Sequence, residues 1–283
     1  MKKCLRFLSL LLCMVCLSGC ASAPKQEAAE SPATAEISEP ENTPKPTPIP
    51  TPKSEPTPEP TPTPEPFPEK GEFFKRFDCE ETGDWFDYLL TVPEAAEEGM
   101  PLIVFLHGDG QVAAPKDLLY SGILRAAKEI YGEDIPFILL QPCTRIPSWT
   151  DGSIPETLKA LIDSIAEEYR VDTEKIIISG HSRGAIGTWN MVDKYPAYFS
   201  AAVPVSCPSM GFDAINFLDT PVRAFVGDNY NDYDFYGEAM VNQIYLLLYY
   251  GVDADITIIE DCDHASSWYK AFTPELFAWM LEQ

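Results

Sequence analysis

Short apolar segments alternate with longer amphipathic ones from Phe73 to the end of the chain, and this alternation restricts the fold more than any other feature. Short continuous apolar runs are typical of strands that are covered by helices on both faces of a sheet. The amphipathic segments between them have the length of crossover helices. The pattern therefore predicts a three-layer α/β domain with a mostly parallel, eight-stranded sheet.

The element boundaries follow from the same pattern. The predicted strands are Phe73–Cys79, Trp85–Val92, Leu102–Leu106, Phe137–Pro142, Ile176–Ser179, Ala201–Val205, Val222–Val226 and Asp255–Ile259. The predicted helices are Lys116–Ile130, Pro155–Tyr169, Arg183–Lys194, Phe235–Tyr250 and Thr273–Glu282. The first two strands alternate apolar and polar residues, as an antiparallel pair does. The stretch from Ser206 to Thr220 is too short for a large lid domain.

Proline marks the segment that precedes this domain. Fifteen of the 27 prolines lie between Pro24 and Pro68. Proline fixes φ and lacks the amide donor, so a segment this rich in proline forms neither helix nor sheet. Residues 20–70 are therefore predicted to be an extended tether. Residues 71–283 remain for folding, which is enough for one α/β domain.

The first 19 residues are typical of an export signal. A basic start precedes the apolar run Leu8–Leu17, which is too short to span a bilayer as a helix. The run ends in Leu17-Ser18-Gly19-Cys20, which resembles the lipobox of bacterial lipoproteins. This resemblance implies lipidation of Cys20 and anchoring on the extracellular face of a bacterial cell membrane. The alternative is an ordinary secretory signal with an incidental cysteine. Export would permit disulfides among Cys79, Cys143, Cys207 and Cys262.

Charge and composition exclude several classes of partner. Residues 71–283 carry 35 acidic and 13 basic side chains, a net charge of −22. A domain this acidic repels nucleic acids and other polyanions. The wide spacing of the cysteines and the presence of only three histidines argue against a metal centre. We expect no metal and no organic cofactor, and contact with the membrane through the lipid anchor only.

A candidate nucleophile lies between a predicted strand and a predicted helix. The strand runs directly into Gly180-His181-Ser182-Arg183-Gly184, and the helix follows. The pattern G-x-S-x-G is a weak signal alone, but this context is that of a nucleophile elbow. Ser182 is therefore predicted to be the nucleophile. The alternative is a glycine-rich turn with no catalytic role.

A catalytic serine needs a base and a carboxylate partner. Of the three histidines, His181 adjoins the serine within the tight turn, and His107 follows an early strand. By elimination His264, on a predicted loop after the last strand, is the base. The loop after the penultimate strand carries three aspartates, and the chain order Ser, acid, His places the acid there. We prefer Asp232 on its distance from the end of the next helix, with Asp228 as the alternative.

Charge that develops on a substrate carbonyl oxygen needs fixed donors. The backbone N–H of Arg183 follows the nucleophile directly. The backbone N–H of Asp109 lies in the glycine-rich loop Leu106-His107-Gly108-Asp109-Gly110 after the third strand. These two amides are the predicted oxyanion hole.

Residues 73–283 resemble the α/β-hydrolase superfamily. Within it they are most similar to the small secreted esterases and predicted peptidases related to feruloyl esterases and polyhydroxybutyrate depolymerases. The similar stretches are Leu106–Gly110, Gly180–Trp189 with Tyr195–Pro204 after it, Gln141–Cys143 with Trp149, and His264 with Trp268 ahead of Phe277-Ala278-Trp279. The sequence departs from the family pattern at Ala185, where a second glycine is usual, and at Asp109, whose charge could repel an anionic intermediate. The acid loop is also longer by two residues.

The resemblance implies an extracellular, membrane-tethered serine hydrolase that cleaves carboxylic esters through a Ser-His-Asp triad and an acyl-enzyme. The expected substrate is an ester-bearing small molecule or polysaccharide, with acyl or feruloyl groups. His107, Trp149 and Trp268 are expected to contact it, since aromatic rings suit sugar faces and phenolic groups. The alternatives are a peptidase or amidase with the same triad, and a non-catalytic carbohydrate-binding lipoprotein.

Overall fold

The computed structural model describes residues 66–110, 114–144, 146 and 148–283. The predicted signal, the lipidation site Cys20 and most of the predicted tether lie outside the described residues, so these interpretations stay predictions. Within the described ranges, no helix combines the length and the apolar character needed to cross a membrane.

Eight strands form one sheet, and only β2 runs opposite to the other seven. The strand order is β1-β2-β4-β3-β5-β6-β7-β8. β1 pairs antiparallel with β2, and β2 pairs antiparallel with β4, while the remaining neighbours are parallel. The strands are β1 Gly71–Asp78, β2 Trp85–Val92, β3 Leu102–Leu106, β4 Ile138–Cys143, β5 Ile176–His181, β6 Ala201–Val205, β7 Val222–Gly227 and β8 Ala254–Ile259. All eight predicted strands are present, with ends that differ by at most two residues.

The helices are α1 Gly122–Tyr131, α2 Ile154–Glu168, α3 Arg183–Lys194, α4 Glu238–Tyr249, α5 His264–Lys270 and α6 Pro274–Glu282. The prediction of one helix over Lys116–Ile130 is wrong. A 3₁₀ turn at Pro115–Tyr120 comes first, and Ser121 then caps α1 by accepting a hydrogen bond from the Leu124 amide at 3.3 Å. A residue that caps a helix has non-helical backbone angles, so Ser121 separates the two elements. The helix α5 was not predicted from the sequence.

Each face of the sheet carries its own apolar layer. Leu102, Val104 and Leu106 of β3 belong to the layer that includes side chains of α2, α3 and α4. Ile103 and Phe105 belong to the opposite layer, with side chains of α1 and α6. Successive side chains of a strand point to opposite faces, so a strand covered on both sides must be apolar throughout. This explains why the central strands read as continuous apolar runs.

The residues just before β1 contact the domain. The Phe67 ring lies 6.2 Å from the Tyr169 ring in an edge-to-face arrangement. Arg170 Nη2 donates a hydrogen bond to the Pro66 carbonyl at 3.2 Å. The end of the segment predicted to be a tether therefore packs on the folded part of the chain.

The four cysteines in the described part of the chain are buried and free: Cys79, Cys143, Cys207 and Cys262. Burial raises the pKa of the Cys143 thiol to about 11 and that of Cys207 to about 12. These thiols therefore act as small apolar core groups.

Candidate active site

Ser182 occupies a strained turn between β5 and α3. Its backbone angles are φ 56° and ψ −117°, which a residue with a side chain rarely adopts. Such strain persists only where the surroundings fix it, and it is frequent at functional positions. The Ser182 amide donates to the Val205 carbonyl of β6 at 2.8 Å, which holds the turn against the sheet.

The two glycines of the motif allow the chain to approach itself closely. A Cβ atom on Gly184 would lie 1.9 Å from the carbonyl oxygen of Leu106 in β3. A Cβ atom on Gly180 would lie 2.2 Å from the carbonyl oxygen of Gly184. Because backbone atoms cannot move aside, any larger residue at either position would push α3 away from the sheet. The G-x-S-x-G pattern is thus a packing requirement of this elbow.

The structure brings Ser182, His264 and Asp232 together in one hydrogen-bonded row. Ser182 Oγ lies 3.0 Å from His264 Nε2, and His264 Nδ1 lies 2.9 Å from Asp232 Oδ1. An ionised carboxylate only accepts hydrogen bonds, so Nδ1 carries the imidazole proton. Nε2 is then the acceptor for the serine hydroxyl. This is the arrangement that activates a serine as a nucleophile.

His264 was predicted to lie on a loop. In the structure it is the first residue of the helix α5. Asp263 caps this helix, since its carboxylate accepts a hydrogen bond from the Ser266 amide at 2.8 Å. The Ser266 hydroxyl in turn accepts from the Asp263 amide at 3.1 Å. This reciprocal pair is a capping box, and the spacing Asp-x-x-Ser was the signal that could have revealed the helix. The cap fixes the direction in which His264 leaves the backbone.

Of the two candidate acids, Asp232 reaches His264 and Asp228 does not. Asp232 is fully buried. Asp228 Oδ1 accepts from the Cys262 amide at 3.0 Å. The backbone amides of Cys262 and Asp261 hold the pKa of the Asp228 carboxyl below its usual range. Asp228 therefore braces the loop between β8 and α5.

His181 is nearly buried and packs against His264, with the two rings 4.8 Å apart. It is 2 % exposed, and its Nε2 lies 2.9 Å from the His264 carbonyl oxygen. Burial, followed by the nearby His264, lowers the pKa of His181 to about 3. The imidazole of His181 is therefore uncharged near neutral pH. Because a carbonyl only accepts, Nε2 carries its proton.

Two residues expected to contact substrate are enclosed by the protein. His107 is 5 % exposed; its Nδ1 donates to the Gly108 carbonyl at 2.8 Å, and its Nε2 accepts from the Thr144 amide at 3.2 Å. Trp149 is 1 % exposed, stacks on Phe86, and donates from Nε1 to the His107 carbonyl at 2.9 Å. Both side chains tie the end of β3 to the segment after β4. Neither side chain is among the residues that line the cavity at Ser182, and their contact with substrate stays a prediction.

A cavity of about 300 Å³ opens above the nucleophile. Its lining residues are Asp109, Gly110, His181, Ser182, His264, Ala265 and Trp268. Trp268, which was expected to contact substrate, and Asp109, whose amide was predicted to belong to the oxyanion hole, both line this cavity with Ser182. Arg183 begins α3, at the positive end of the helix dipole.

The acidic side chain of Asp109 has a counter-charge. Arg183 Nη2 lies 3.2 Å from Asp109 Oδ2. The pair joins the side chains of the two residues whose amides were predicted to form the oxyanion hole. The repulsion that the sequence suggested for Asp109 is therefore offset by the guanidinium next to it.

Two further residues contact the triad. Ser206 Oγ donates to Asp232 Oδ2 at 2.6 Å, and the Tyr236 ring lies 5.1 Å from the His264 ring. Ser206 directly follows β6, the neighbour of the strand that leads to Ser182. This position next to the nucleophile was the sequence signal that could have identified Ser206 as a site residue.

Across the described ranges, no group of three or more His, Cys, Asp or Glu side chains is placed to hold a metal ion.

Similar solved structures exist, whereas no protein-family model and no curated protein matches the sequence. A thermostable esterase is 25% identical with a TM-score of 0.66, over 75% of this chain and 63% of that chain. An S-formylglutathione hydrolase from Staphylococcus aureus is 15% identical with a TM-score of 0.58, over 75% and 98%. A ferulic acid esterase is 17% identical with a TM-score of 0.54, over 75% and 96%.

The chain has the α/β-hydrolase fold. This confirms the fold that the sequence resemblance implied. The chain spans less than two thirds of the thermostable esterase that it matches. In the α/β-hydrolase fold the nucleophile elbow joins a strand to a helix, and the triad follows the chain order Ser, acid, His. Ser182, Asp232 and His264 have that order.

Proposed function

We propose that this protein is a serine hydrolase that cleaves carboxylic esters. The observation that carries the proposal is the row of contacts from Ser182 Oγ through His264 to the buried Asp232, at 3.0 and 2.9 Å, beside an open cavity. Solved structures of similar fold include esterases, which supports the ester as the substrate class.

The contacts support a two-step reaction. In the first step Ser182 Oγ attacks the acyl carbon while His264 Nε2 takes the hydroxyl proton. Asp232 keeps the proton on Nδ1 and stabilises the imidazolium that forms. The backbone N–H groups of Asp109 and Arg183 donate to the oxyanion, and the positive end of α3 favours its charge.

The tetrahedral intermediate then breaks its bond to the alcohol oxygen, and the imidazolium of His264 gives its proton to that leaving group. The acyl group remains as an ester on Ser182. In the second step His264 Nε2 takes a proton from water, which attacks the acyl carbon. Collapse returns the proton to Ser182 Oγ and releases a carboxylic acid, so the enzyme ends unchanged.

We further propose a place of action and a substrate type. Lipidation at Cys20 would anchor the enzyme on the extracellular face of the membrane, with the proline-rich segment as a spacer. Only a short 3₁₀ turn, Ala214–Phe217, interrupts the connection from β6 to β7, and the cavity is open with Trp268 in its lining. An open site suits esters on an extended substrate, such as acyl or feruloyl groups on a polysaccharide.

The test of the nucleophile compares the full-length protein with Ser182→Ala. The probes are hydrolysis of p-nitrophenyl acetate and covalent labelling by a fluorophosphonate. We expect wild type to hydrolyse and to be labelled, and Ser182→Ala to lose both while keeping its thermal unfolding midpoint. Ser179→Ala is the matched control, because Ser179 is a buried serine of β5, the strand that leads to Ser182, and its hydroxyl donates to the Val203 carbonyl at 2.8 Å.

Three outcomes separate the proposal from its alternatives. A folded wild type that is neither labelled nor active would rule out the esterase. Faster cleavage of a p-nitroanilide than of the matching ester would favour a peptidase or amidase. Binding of polysaccharide that is unchanged in Ser182→Ala, without any acyl-enzyme, would favour a carbohydrate-binding protein.

A further inference from the structure

A buried row of polar side chains continues beyond the triad, from Asp232 to His181. Ser206 Oγ lies 2.6 Å from Asp232 Oδ2 and 2.6 Å from Ser267 Oγ. Ser267 Oγ lies 3.1 Å from His181 Nε2. Asp232, Ser206 and Ser267 are fully buried, and His181 is nearly so. We call Ser206, Ser267 and His181 the buried hydroxyl chain.

The chemistry of these groups fixes the direction of each hydrogen bond. A carboxylate only accepts, so the single hydroxyl proton of Ser206 goes to Asp232. The 2.6 Å contact between the two serines then uses the proton of Ser267, whose Oγ also lies 3.1 Å from the His264 carbonyl oxygen. His181 Nε2 carries a proton because it faces the His264 carbonyl, and this proton is shared with Ser267 Oγ. The shortest contacts of the buried hydroxyl chain therefore lead from Ser267 through Ser206 to Asp232.

This direction matters because the carboxylate of Asp232 is removed from water. A buried charge is tolerated only when hydrogen-bond donors replace its hydration. Oδ1 of Asp232 faces His264, so that oxygen serves the triad. Oδ2 accepts from the Ser206 hydroxyl at 2.6 Å and from the Gly227 amide at 2.6 Å. These two donors hold the carboxylate so that Oδ1 stays aimed at His264.

The backbone of Ser206 supports a role for its hydroxyl. Its φ is +55°, in the left-handed region that favours glycine. The Ser206 amide donates to the Phe225 carbonyl of β7 at 2.8 Å, which fixes this conformation between two strands. Glycine would relieve the strain but would leave Oδ2 of Asp232 with one donor fewer. A strained, buried residue whose side chain reaches a reactive group is typical of a functional position.

We propose that Ser206 is a positioning residue of the triad, which fixes the carboxylate of Asp232 for the reaction, with Ser267 and His181 orienting its hydroxyl. The inference rests on the proposed serine hydrolase activity. Ser206 does not touch substrate, so its loss should slow the chemical step without weakening substrate binding. A hydrogen bond to a charged group contributes enough to predict a loss of about 10- to 100-fold.

The experiment measures kcat and KM for p-nitrophenyl acetate with the full-length protein. Ser206→Ala removes the hydroxyl, and Ser206→Gly removes it while relaxing the positive φ. We expect kcat to fall about 10- to 100-fold in both variants, with KM changed by less than about twofold. The rate of fluorophosphonate labelling should fall with kcat/KM, since both depend on an activated Ser182. Ser179→Ala is the control, with kcat close to wild type.

Other results would overturn the inference. If both Ser206 variants are folded and keep kcat within about twofold of wild type, Ser206 has no positioning role. If only Ser206→Ala loses activity and Ser206→Gly does not, the backbone matters and the hydroxyl does not. Should neither variant fold, Ser267→Ala gives the decision: an unchanged kcat would contradict the inference, and a loss in kcat at constant KM would support it. An inactive wild type would instead refute the proposed function.

Discussion

Burial separates the roles of two aspartates on the loop after β7. Asp232 is fully buried and lies 2.9 Å from His264 Nδ1. Asp228 is only four residues away, yet it binds the backbone amide of Cys262 and faces solvent. The sequence could not distinguish them, because both stand on the same loop with the same chemistry. Their difference comes from how the chain turns after Gly227.

Replacing each aspartate by asparagine tests this difference. Asp232→Asn keeps the shape but cannot stabilise an imidazolium, and an amide donor facing Nδ1 favours the wrong tautomer. We expect kcat for p-nitrophenyl acetate to fall about 10³- to 10⁴-fold. Asp228→Asn, the matched control, should keep kcat within about fivefold and lower the thermal unfolding midpoint, since its carboxylate binds backbone amides. Equal losses of kcat in the two variants would contradict the assignment of Asp232.

At the scale of elements, the strands and the nucleophile elbow could be predicted from the sequence, whereas the short helix α5 could not. The strands were predictable because two covered faces demand continuous apolar runs, as in Leu102–Leu106. Ser182 was predictable because the elbow needs glycines at fixed positions. The helix α5 has seven residues and little periodicity, so only its capping box could mark it. The direction of the Trp149 ring could not be predicted, because it depends on Phe86 and His107, which are distant in sequence.

The contact of α3 with β3 gives a prediction at this scale. A methyl group on Gly184 would overlap the Leu106 carbonyl, so Gly184→Ala must push α3 from the sheet. We expect the free energy of unfolding to fall by about 3 kcal/mol, with loss of activity because the elbow moves. Ala185→Gly, one residue further along α3, should cost about 1 kcal/mol and keep the activity. Denaturant unfolding measures both, and an equal effect of the two substitutions would contradict this packing.

At the scale of the molecule, the sheet order assembles the site. Ser182, Asp232 and His264 follow β5, β7 and β8, which lie on one side of the sheet with β6 between them. Because parallel strands end at the same edge, residues up to 82 positions apart meet there. β6 contributes Ser206 to the same edge. The strand pattern of the sequence predicted that the site residues lie at this edge of the sheet. Which side chains contact each other there could be seen only in the structure.

The whole molecule should lose stability in mild acid, although the repulsion among its acidic side chains, which weakens towards acid, acts in the opposite direction. His107 and His181 are buried and neutral, and burial lowers the pKa of both, for His181 to about 3. In the unfolded chain a histidine takes up a proton near pH 6.5. Below that pH the unfolded state binds more protons, so stability falls towards acid, by about 1 kcal/mol per pH unit for His181 and in the same direction for His107.

The opposing effect is the excess of acidic residues, whose mutual repulsion weakens only as carboxylates take up protons, near pH 4. Between pH 7 and pH 5 the histidines therefore dominate, and we expect the free energy of unfolding to decrease. Urea unfolding at pH 7, 6 and 5 measures this. Added salt screens the repulsion but not the burial of neutral histidine, so the slope should persist at high salt. A stability that is constant or rises from pH 7 to pH 5 would contradict the neutral, buried state of the two histidines.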